Sequence, residues 1–451
     1  MTSFVNKLRN FISPTNPIRL IYHKVVAVAA AVRYMFPANK LKVIAVTGTK
    51  GKTSTITLIN EILKEAGKRV GVASTINFQI GNRSWENTTK QTTVGRFTLQ
   101  KLLREMVNEG CEYAVLEATS HAMSQSRLWG VNMDTAVLTN IENDHLEYHG
   151  GMEGYIDAKS KIFRNINRSP RKPGVEKIIV LNRDDKRYEH FSQFVADRVF
   201  TYGRKQSTVY ATNIEESKEG VKFTLNIPND KVDIQLEMQG MFNVYNALAA
   251  ASVAVVHHVN LQTIKAALEK AKGIPGRLEK VEAGQDYPVI VDYAHTEESL
   301  EKLCSLYKKL AEGKVILVFG ATGGGRDKAK RPKMGQVADA YADEIVVTND
   351  DPYTEDEMGI IEDISKGIKR EEGDRFWKIP DRADAIRLAL TNAKKEDIVL
   401  IAGKGCEKVQ VIGEKHLPWD DREVVKEFLS REVVVEIDGK EKAGVNKCLE
   451  S

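Results

Sequence analysis

Short apolar runs alternate with stretches of helical spacing from about Leu41 onward. Val43-Ile-Ala-Val46 is an unbroken apolar run that predicts a buried strand. Thr53 to Ala66 carries apolar residues at helical intervals and stops at Gly67. Arg69–Ala73 reads as a strand, Phe97–Asn108 as a helix, and Tyr113–Glu117 and Thr135–Thr139 as two further strands. This βαβ rhythm predicts an α/β fold with a mostly parallel sheet covered on both faces. From Thr208 to Gln239, Val, Phe, Leu and Ile alternate with polar residues, which predicts an antiparallel flap or subsidiary sheet. Gly273-Ile-Pro-Gly276 punctuates the chain as an interdomain hinge would. A second α/β rhythm follows, with strands at Val289–Val291, Lys314–Phe319, Glu344–Thr348 and Ile398–Ala402. From about Val435 the pattern lapses into a charged tail.

The N-terminal segment is different. Asn16-Pro17 is a strong helix start, and Ile18 to Phe36 is apolar but interrupted by Arg19, His23, Lys24 and Arg33. Its uncharged core, Val25 to Val32, is too short to span a bilayer, and no convincing cleavage site follows. Two readings stand: a helix packed on the next domain, or a basic helix lying on a membrane surface.

The chain of 451 residues is long enough for two or three domains, and 42% hydrophobic with 28% charged residues fits a globular protein with a full core. A net charge of +4 without a basic, aromatic-interleaved patch argues against nucleic acid as a partner. Cys111, Cys304, Cys406 and Cys448 form no CxxC pair, which suits a reducing cytoplasm.

The chemistry concentrates first in Val43-Ile-Ala-Val-Thr-Gly-Thr-Lys-Gly-Lys-Thr-Ser54. A strand, a glycine-rich turn and a helix start form a triphosphate cradle, built here from Gly48, Thr49, Lys50, Gly51, Lys52, Thr53 and Ser54. Lys52 would reach the outer phosphates and the Thr53 hydroxyl would sit on Mg²⁺. The spacing departs from the general phosphate-loop pattern, because Val46 stands where its first glycine belongs and Gly48 comes two residues later. Glu117 closes a predicted strand, where α/β sheets gather their ligands, and is placed to share that Mg²⁺. The next strand opens into a loop crowded with Asn140, Asp144, His145 and His149, in which His145 is a candidate metal ligand. Lys159, on an amphipathic helix, reads from local pattern alone as an ordinary surface lysine.

Taken in order, VTGTKGKTS, EATSHAMSQSR, TNIENDHLEYHG, YIDAKSKIF, GMFNVYNALAA, GRLE, VDYAHT, GGGRDKAKRPKMG, TNDDPYTEDE and AGKGCEKVQ resemble the Mur ligase family, from about Leu41 to Glu427. Within it they are most similar to the branch that adds the third amino acid of the peptidoglycan stem peptide. The resemblance implies a P-loop NTPase-like central domain and a C-terminal Rossmann-like domain. It implies an ATP-dependent, ADP-forming ligase that activates a carboxylate as an acyl phosphate and passes it to an amine. Lys52 would stabilise the transferred phosphate, Thr53 and Glu117 would hold one Mg²⁺, and His145 would help hold a second. Lys159 aligns with the lysine this family carbamylates with CO₂, which turns an amine into an anionic oxygen ligand. Asn243, Asn246, Arg277 and Asp292 match nucleotide-contacting positions. Thr92, Thr93, Ser120, Gln125 and Arg127 match residues that contact the muramoyl-peptide acceptor. Asp350, Asp351, Tyr353, Gly403 and Glu407 match the pocket for the free amino acid.

Two departures from the family pattern matter. The phosphate loop begins so early that no uridine-binding domain of about a hundred residues fits ahead of it. The expectation is that the acceptor's carrier is held differently, is absent or lipid-linked, or is recognised by a partner protein. Second, the selecting motif reads Asp350-Asp-Pro-Tyr353, whereas diaminopimelate-adding enzymes typically carry an arginine in place of Tyr353. Tyr353 offers no positive charge to a distal carboxylate, while Asp350, Asp351 and Glu407 suit a distal ammonium, as in lysine or ornithine. Cys406 replaces the usual histidine of its motif and reads as a small packed substitute rather than a reactive thiol.

The expected domains are an N-terminal helical segment over 1–40, an ATP-binding domain over 41–275, a C-terminal ligase domain over 276–436 and a tail over 437–451. The expected location is the cytoplasm, with membrane contact at its inner face through residues 17–36 as the second reading of the helix. Rival functions are a folylpolyglutamate synthetase-like ligase and a non-catalytic nucleotide-binding subunit of a wall-building complex.

Overall fold

A computed structural model describes residues 16–437, apart from 88, 90, 144, 145, 205, 218, 326 and 327. The predicted metal ligand His145 and the tail from residue 438 lie outside the described residues. The chain divides into two compact units, the first ending at Lys272 and the second beginning at Gly273.

In the first unit, helix α1 (Pro17–Arg33) begins where the Asn16 side chain accepts the Ile18 amide at 2.9 Å. Strand β1 (Lys42–Thr47) feeds through the glycine turn into α2 (Lys52–Glu65), which ends before Gly67. Then come β2 (Val70–Ala73), the hairpin β3 (Asn77–Ile80) and β4 (Arg83–Glu86), and helix α3 (Arg96–Asn108). Next are β5 (Tyr113–Glu117), β6 (Thr135–Leu138), α4 (Met152–Arg168), β7 (Ile178–Asn182) and β8 (Arg198–Gly203). Three strands follow, β9 (Val209–Ser217), β10 (Gly220–Ile227) and β11 (Asp230–Leu236), then α5 (Met241–Val256) and α6 (Leu261–Lys270).

The strands form one eleven-stranded sheet in the order β11-β10-β9-β8-β7-β6-β1-β5-β2-β3-β4. Val46 pairs with Glu117 and Thr47 with Leu138, so the carboxyl ends of β1, β5 and β6 lie level. Alternate residues of β1 point to opposite faces. Val43 and Ala45 join Leu99, Leu103 and Met106 of α3 and Ile162 and Phe163 of α4 in one core. On the other side α2 packs on α5, whose charge-free, alanine-rich sequence is buried nearly all round, as such a helix must be. The antiparallel strands expected after Thr208 are present but form no separate sheet. Tyr202 and Gly203 pair in parallel with Val209 and Tyr210, which joins β9–β11 to the main sheet.

The second unit holds β12 (Glu279–Val281), β13 (Val289–Asp292), α7 (Glu297–Leu310), β14 (Val315–Phe319), α8 (Lys330–Tyr341), β15 (Glu344–Val347) and α9 (Glu357–Ser365). It continues with β16 (Phe376–Lys378), α10 (Arg382–Asn392), β17 (Ile398–Ala402), the hairpin β18 (Val409–Ile412) and β19 (Lys415–Pro418), and α11 (Asp421–Ile437). Its six-stranded sheet runs β12-β13-β17-β14-β15-β16 and is parallel except for β12. Val315, Leu317 and Phe319 pack towards α7, α8 and α9, and Ile316 and Val318 towards α10 and α11. Arg382 braces this layer. Its guanidinium makes two 2.8 Å bonds to Asp421 and also donates to the carbonyls of Asn349 (3.1 Å) and Ala402 (3.0 Å), with both charged side chains fully buried.

Candidate active site

The glycine turn is held in shape by the strand beside it. Gly48 (φ +149°) and Gly51 (φ +79°) adopt backbone angles that L side chains rarely take. A Cβ on Gly48 would land on the Thr139 hydroxyl, and one on Gly51 on the Asn246 amide oxygen. Asn140 accepts from the Lys50 amide at 2.9 Å, its carbonyl accepts from the Thr49 amide at 2.8 Å, and the Thr139 hydroxyl donates to the Lys50 carbonyl at 2.6 Å. Lys50 also pairs with Glu142 at 2.9 Å. The Lys52 ammonium lies over the turn, 2.8 Å from the Thr49 carbonyl oxygen. Gly51 starts α2 without a side-chain cap, and half-buried Ser54 lies on the first helical turn. Backbone amides, one helix dipole and Lys52 thus converge on a cradle suited to an anion.

Glu117 links this cradle to a second cluster. Its Oε2 accepts from the Thr53 hydroxyl at 3.1 Å and from the Thr75 amide and hydroxyl at 2.9 Å each. Its backbone carbonyl accepts from the Thr93 hydroxyl at 2.8 Å. With its one proton given to Glu117, the Thr75 hydroxyl accepts from the Thr92 hydroxyl, 3.1 Å away. Arg127 donates to the neutral oxygens of Gln125 (2.8 and 3.0 Å), Gln91 (3.1 Å) and the Thr93 backbone (2.5 Å). Ser120 and His149 lie 3.0 Å apart, and Gln125 donates to the Tyr148 hydroxyl at 3.0 Å. Thr92, Thr93, Ser120, Gln125 and Arg127 therefore share one end of the sheet with the glycine turn.

Lys159 is not at the surface. It is 2% exposed, its ammonium is 2.6 Å from the Gly48 carbonyl oxygen, and it lies 4.7 Å over the Tyr155 ring. Tyr155 and Thr49 bring their hydroxyls to 2.9 Å. Asn246, under Gly51, donates to Asn243 at 3.0 Å, and both are buried near the start of α5. Thr75 and Tyr155 are contributors that local sequence does not single out, since a hydroxyl in a loop or on a helix carries no periodic signature.

In the second unit, buried Asp292 accepts the Leu278 amide at 2.8 Å. Burial lifts its carboxyl above the ordinary range despite the charge of Arg277, whose guanidinium stacks 4.5 Å over Tyr293. Burial also drives the His295 imidazole down to about 4, so it is neutral at physiological pH. Asp350, Asp351 and Glu407 converge on Lys404, at 3.6, 2.9 and 3.3 Å. Lys404 is fully buried, and its burial is outweighed by Asp350, Glu407 and Asp351, which hold its ammonium above the ordinary range. The sequence reading missed Lys404. The fully buried Arg382–Asp421 pair lies beside this cluster, and Asp350 and Asp351 act on Arg382 as well as on Lys404. Gly403 (φ +117°) lies against Asp350, and a Cβ there would stand 3.0 Å from that carboxylate. Tyr353 (φ +53°) is pinned by backbone bonds to Val411 and Gly413 and packs against Gly324. Burial pushes the Cys406 thiol up, which disfavours a reactive thiolate.

Magnesium takes oxygen ligands and keeps several from water or substrate phosphate. The Thr53 hydroxyl and the Glu117 carboxylate supply two buried oxygens beside the cradle, and they fit such an ion. Among the described residues, no group of three or more His, Cys, Asp and Glu could hold a metal by itself.

Residues 46–254 match the family described as the Mur ligase middle domain, and residues 276–405 the Mur ligase, glutamate ligase domain. The chain is 42% identical over 413 residues to the UDP-N-acetylmuramoyl-L-alanyl-D-glutamate--2,6-diaminopimelate ligase of Bacillus licheniformis, covering 91% of this chain and 83% of that one. A solved structure of a ligase of the same name superposes with a TM-score of 0.62 at 32% identity, over 87% of this chain and 79% of that one. The ADP complex of Mycobacterium tuberculosis folylpolyglutamate synthase shares the fold, with a TM-score of 0.68 at 16% identity over 92% and 94% of the two chains.

Proposed function

The chain belongs to the Mur ligase family, and from that membership we propose that it is an ATP-dependent, ADP-forming ligase that adds the third amino acid, a diamino acid, to a muramoyl-dipeptide acceptor in peptidoglycan synthesis. The observation that carries this reading is the double role of Glu117. Its side chain binds Thr53 of the phosphate cradle, and its main chain binds Thr93 of the cluster around Arg127. Nucleotide and acceptor would thereby meet at one end of one sheet.

The chemistry has two steps. An acceptor carboxylate oxygen attacks the γ-phosphorus of ATP, the bond to the β-phosphate oxygen breaks, and ADP leaves. The deprotonated amine of the free amino acid then attacks the acyl phosphate carbon, and phosphate departs as the amide forms. Lys52 and the turn amides face the charge on the transferred group, and positioning supplies most of the acceleration. Mg²⁺, held by Thr53 and Glu117, would neutralise phosphate charge. We assign Asn243, Asn246, Arg277 and Asp292 to the nucleotide, and Thr92, Thr93, Ser120, Gln125 and Arg127 to the acceptor. Arg127 suits an acidic acceptor, because a guanidinium can grip a carboxylate through two bonds.

We further assign to Lys159 a carbamate, formed when its amine adds to CO₂ and releases a proton, which with His145 would serve a second Mg²⁺. Its burial against Gly48 supports this reading. Lys159→Ala is expected to lose about a hundredfold or more in turnover, and added short carboxylates are expected to restore part of it. Turnover close to the parent, measured as phosphate release, would remove Lys159 from the machinery.

For the amino acid, the acidic side chains of Asp350, Asp351 and Glu407 and the uncharged Tyr353 favour a monocarboxylic diamino acid such as lysine or ornithine. Incubation with ATP, Mg²⁺, muramoyl dipeptide and a panel of amino acids, read by mass spectrometry, tests both the activity and this preference. Expected is a tripeptide product that carries lysine or ornithine. Clear superiority of diaminopimelate, the substrate in the relative's name, would reverse the preference but leave the ligase reading intact. No product with any amino acid would sink the reading itself.

A further inference from the structure

Helix α1 has two apolar faces, and among the described residues the first unit covers only one. His23, Ala27, Ala30 and Ala31 are buried on the domain side, where α1 packs against α3. At about 100° per residue, Ile18, Ile21, Tyr22, Val25 and Val32 fall on the opposite side, in a stripe roughly 100° wide. These five are between 56% (Val32) and 76% (Ile18) exposed, and Met35 just beyond the helix is exposed too. The cations border the stripe. On the same projection Arg19 and Arg33 lie along one margin and Lys24 along the other, and both Lys24 and Arg33 are exposed. The N-terminal sequence is one-sided in charge: residues 1–36 carry Lys7, Arg9, Arg19, Lys24 and Arg33 and no Asp or Glu. Among the described residues no helix is long and apolar enough to cross a membrane.

From this geometry we infer that the outer stripe of α1 docks onto the surface of an anionic lipid bilayer. Apolar side chains flanked on both sides by basic ones match the boundary between acyl chains and acidic headgroups. The stripe enters the boundary while the lysine and arginine stems reach back to the phosphates. The inner face keeps α1 fixed to the ligase unit, so docking would hold the whole enzyme at the membrane plane. This inference does not depend on the acceptor or on the amino acid added.

Co-sedimentation of the full chain with vesicles tests it. Vesicles of phosphatidylcholine with phosphatidylglycerol should carry the protein down at low salt, and vesicles of phosphatidylcholine alone should carry down much less. High salt should weaken the anionic binding. I21E/V25E alters two exposed side chains on the outer face, and should lower partitioning at least about tenfold while thermal unfolding stays as in the parent. Three outcomes overturn the inference. The variant pelleting like the parent would show that the stripe is not the contact. No vesicle binding by a parent that is dimeric, and that I21E/V25E makes monomeric, would give the stripe to a second copy. No vesicle binding by a monomeric parent would leave the stripe to residues 1–15 of its own chain.

Discussion

Lys52→Ala is expected to lower turnover about a thousandfold, equivalent to about 4 kcal/mol of transition-state stabilisation. The ammonium lies across the turn, 2.8 Å from the Thr49 carbonyl, beside the cradle proposed above for the triphosphate. The turn itself should survive the substitution. Its shape is fixed by Gly48, Gly51 and the bonds from Thr139 and Asn140 to Lys50, none of which involves the Lys52 side chain. The loss should therefore fall mainly on kcat, with a smaller change in the KM for ATP. Lys52→Arg should recover only part of the rate, because a planar fork does not replace a compact point charge in a closed turn. Single-turnover phosphate release separates these effects. A rate within about tenfold of the parent would mean that another cation meets the transferred phosphate.

The second large effect concerns stability. Arg382→Ala should destabilise the second unit by about 3–5 kcal/mol, because it leaves Asp421 charged and buried with its main partner gone. Burial alone would raise the Asp421 carboxyl, and Arg382 outweighs it, so that it sits below the usual carboxylate range. Trp419, which donates to Asp421 at 2.8 Å, supplies only a neutral donor in compensation. The same guanidinium ties down the Asn349 and Ala402 carbonyls, the residues immediately before Asp350 and Gly403. The variant should thus also weaken amino-acid binding in whatever fraction remains folded. Arg382→Met combined with Asp421→Leu should regain much of the lost stability, since removing both charges ends the desolvation problem. Chemical unfolding of all three proteins checks this. Equal stability of parent and Arg382→Ala would mean that water reaches Asp421.

What was legible in the sequence follows from the range of each signal. The run Val43–Val46, the spacing of Thr53–Ala66 and the two glycines of the turn are local features, and they suffice to place β1, the phosphate cradle and α2. β7 (Ile178–Asn182) escaped because a five-residue apolar run has no period that separates it from a buried helix segment. The hairpin β3–β4 escaped because Arg83, Ser84 and Glu86 are polar and exposed, and its strands are only four residues each. The union of β9–β11 with the main sheet rests on two residue pairs distant from any motif. Charge is the least legible property. Lys159 looks like a surface lysine until the chain folds Gly48 over it, and Lys404 looks like a loop residue until Asp350, Asp351 and Glu407 close around it. Resemblance to a family supplied Lys159 where local physics did not, but it did not supply Lys404.

The large sheet ends in β4 on one side and β11 on the other. An unpaired strand border invites a foreign strand to add itself, which is how many β proteins aggregate. Here β4 is short and bears Arg83 and Glu86. On β11 two backbone groups are taken by α6: the Gln235 amide donates to Glu269 at 3.0 Å, and the Asp233 carbonyl accepts from Lys265 at 2.5 Å. Two helical side chains thus stand in for part of the missing neighbour strand, which hinders templated growth at this border.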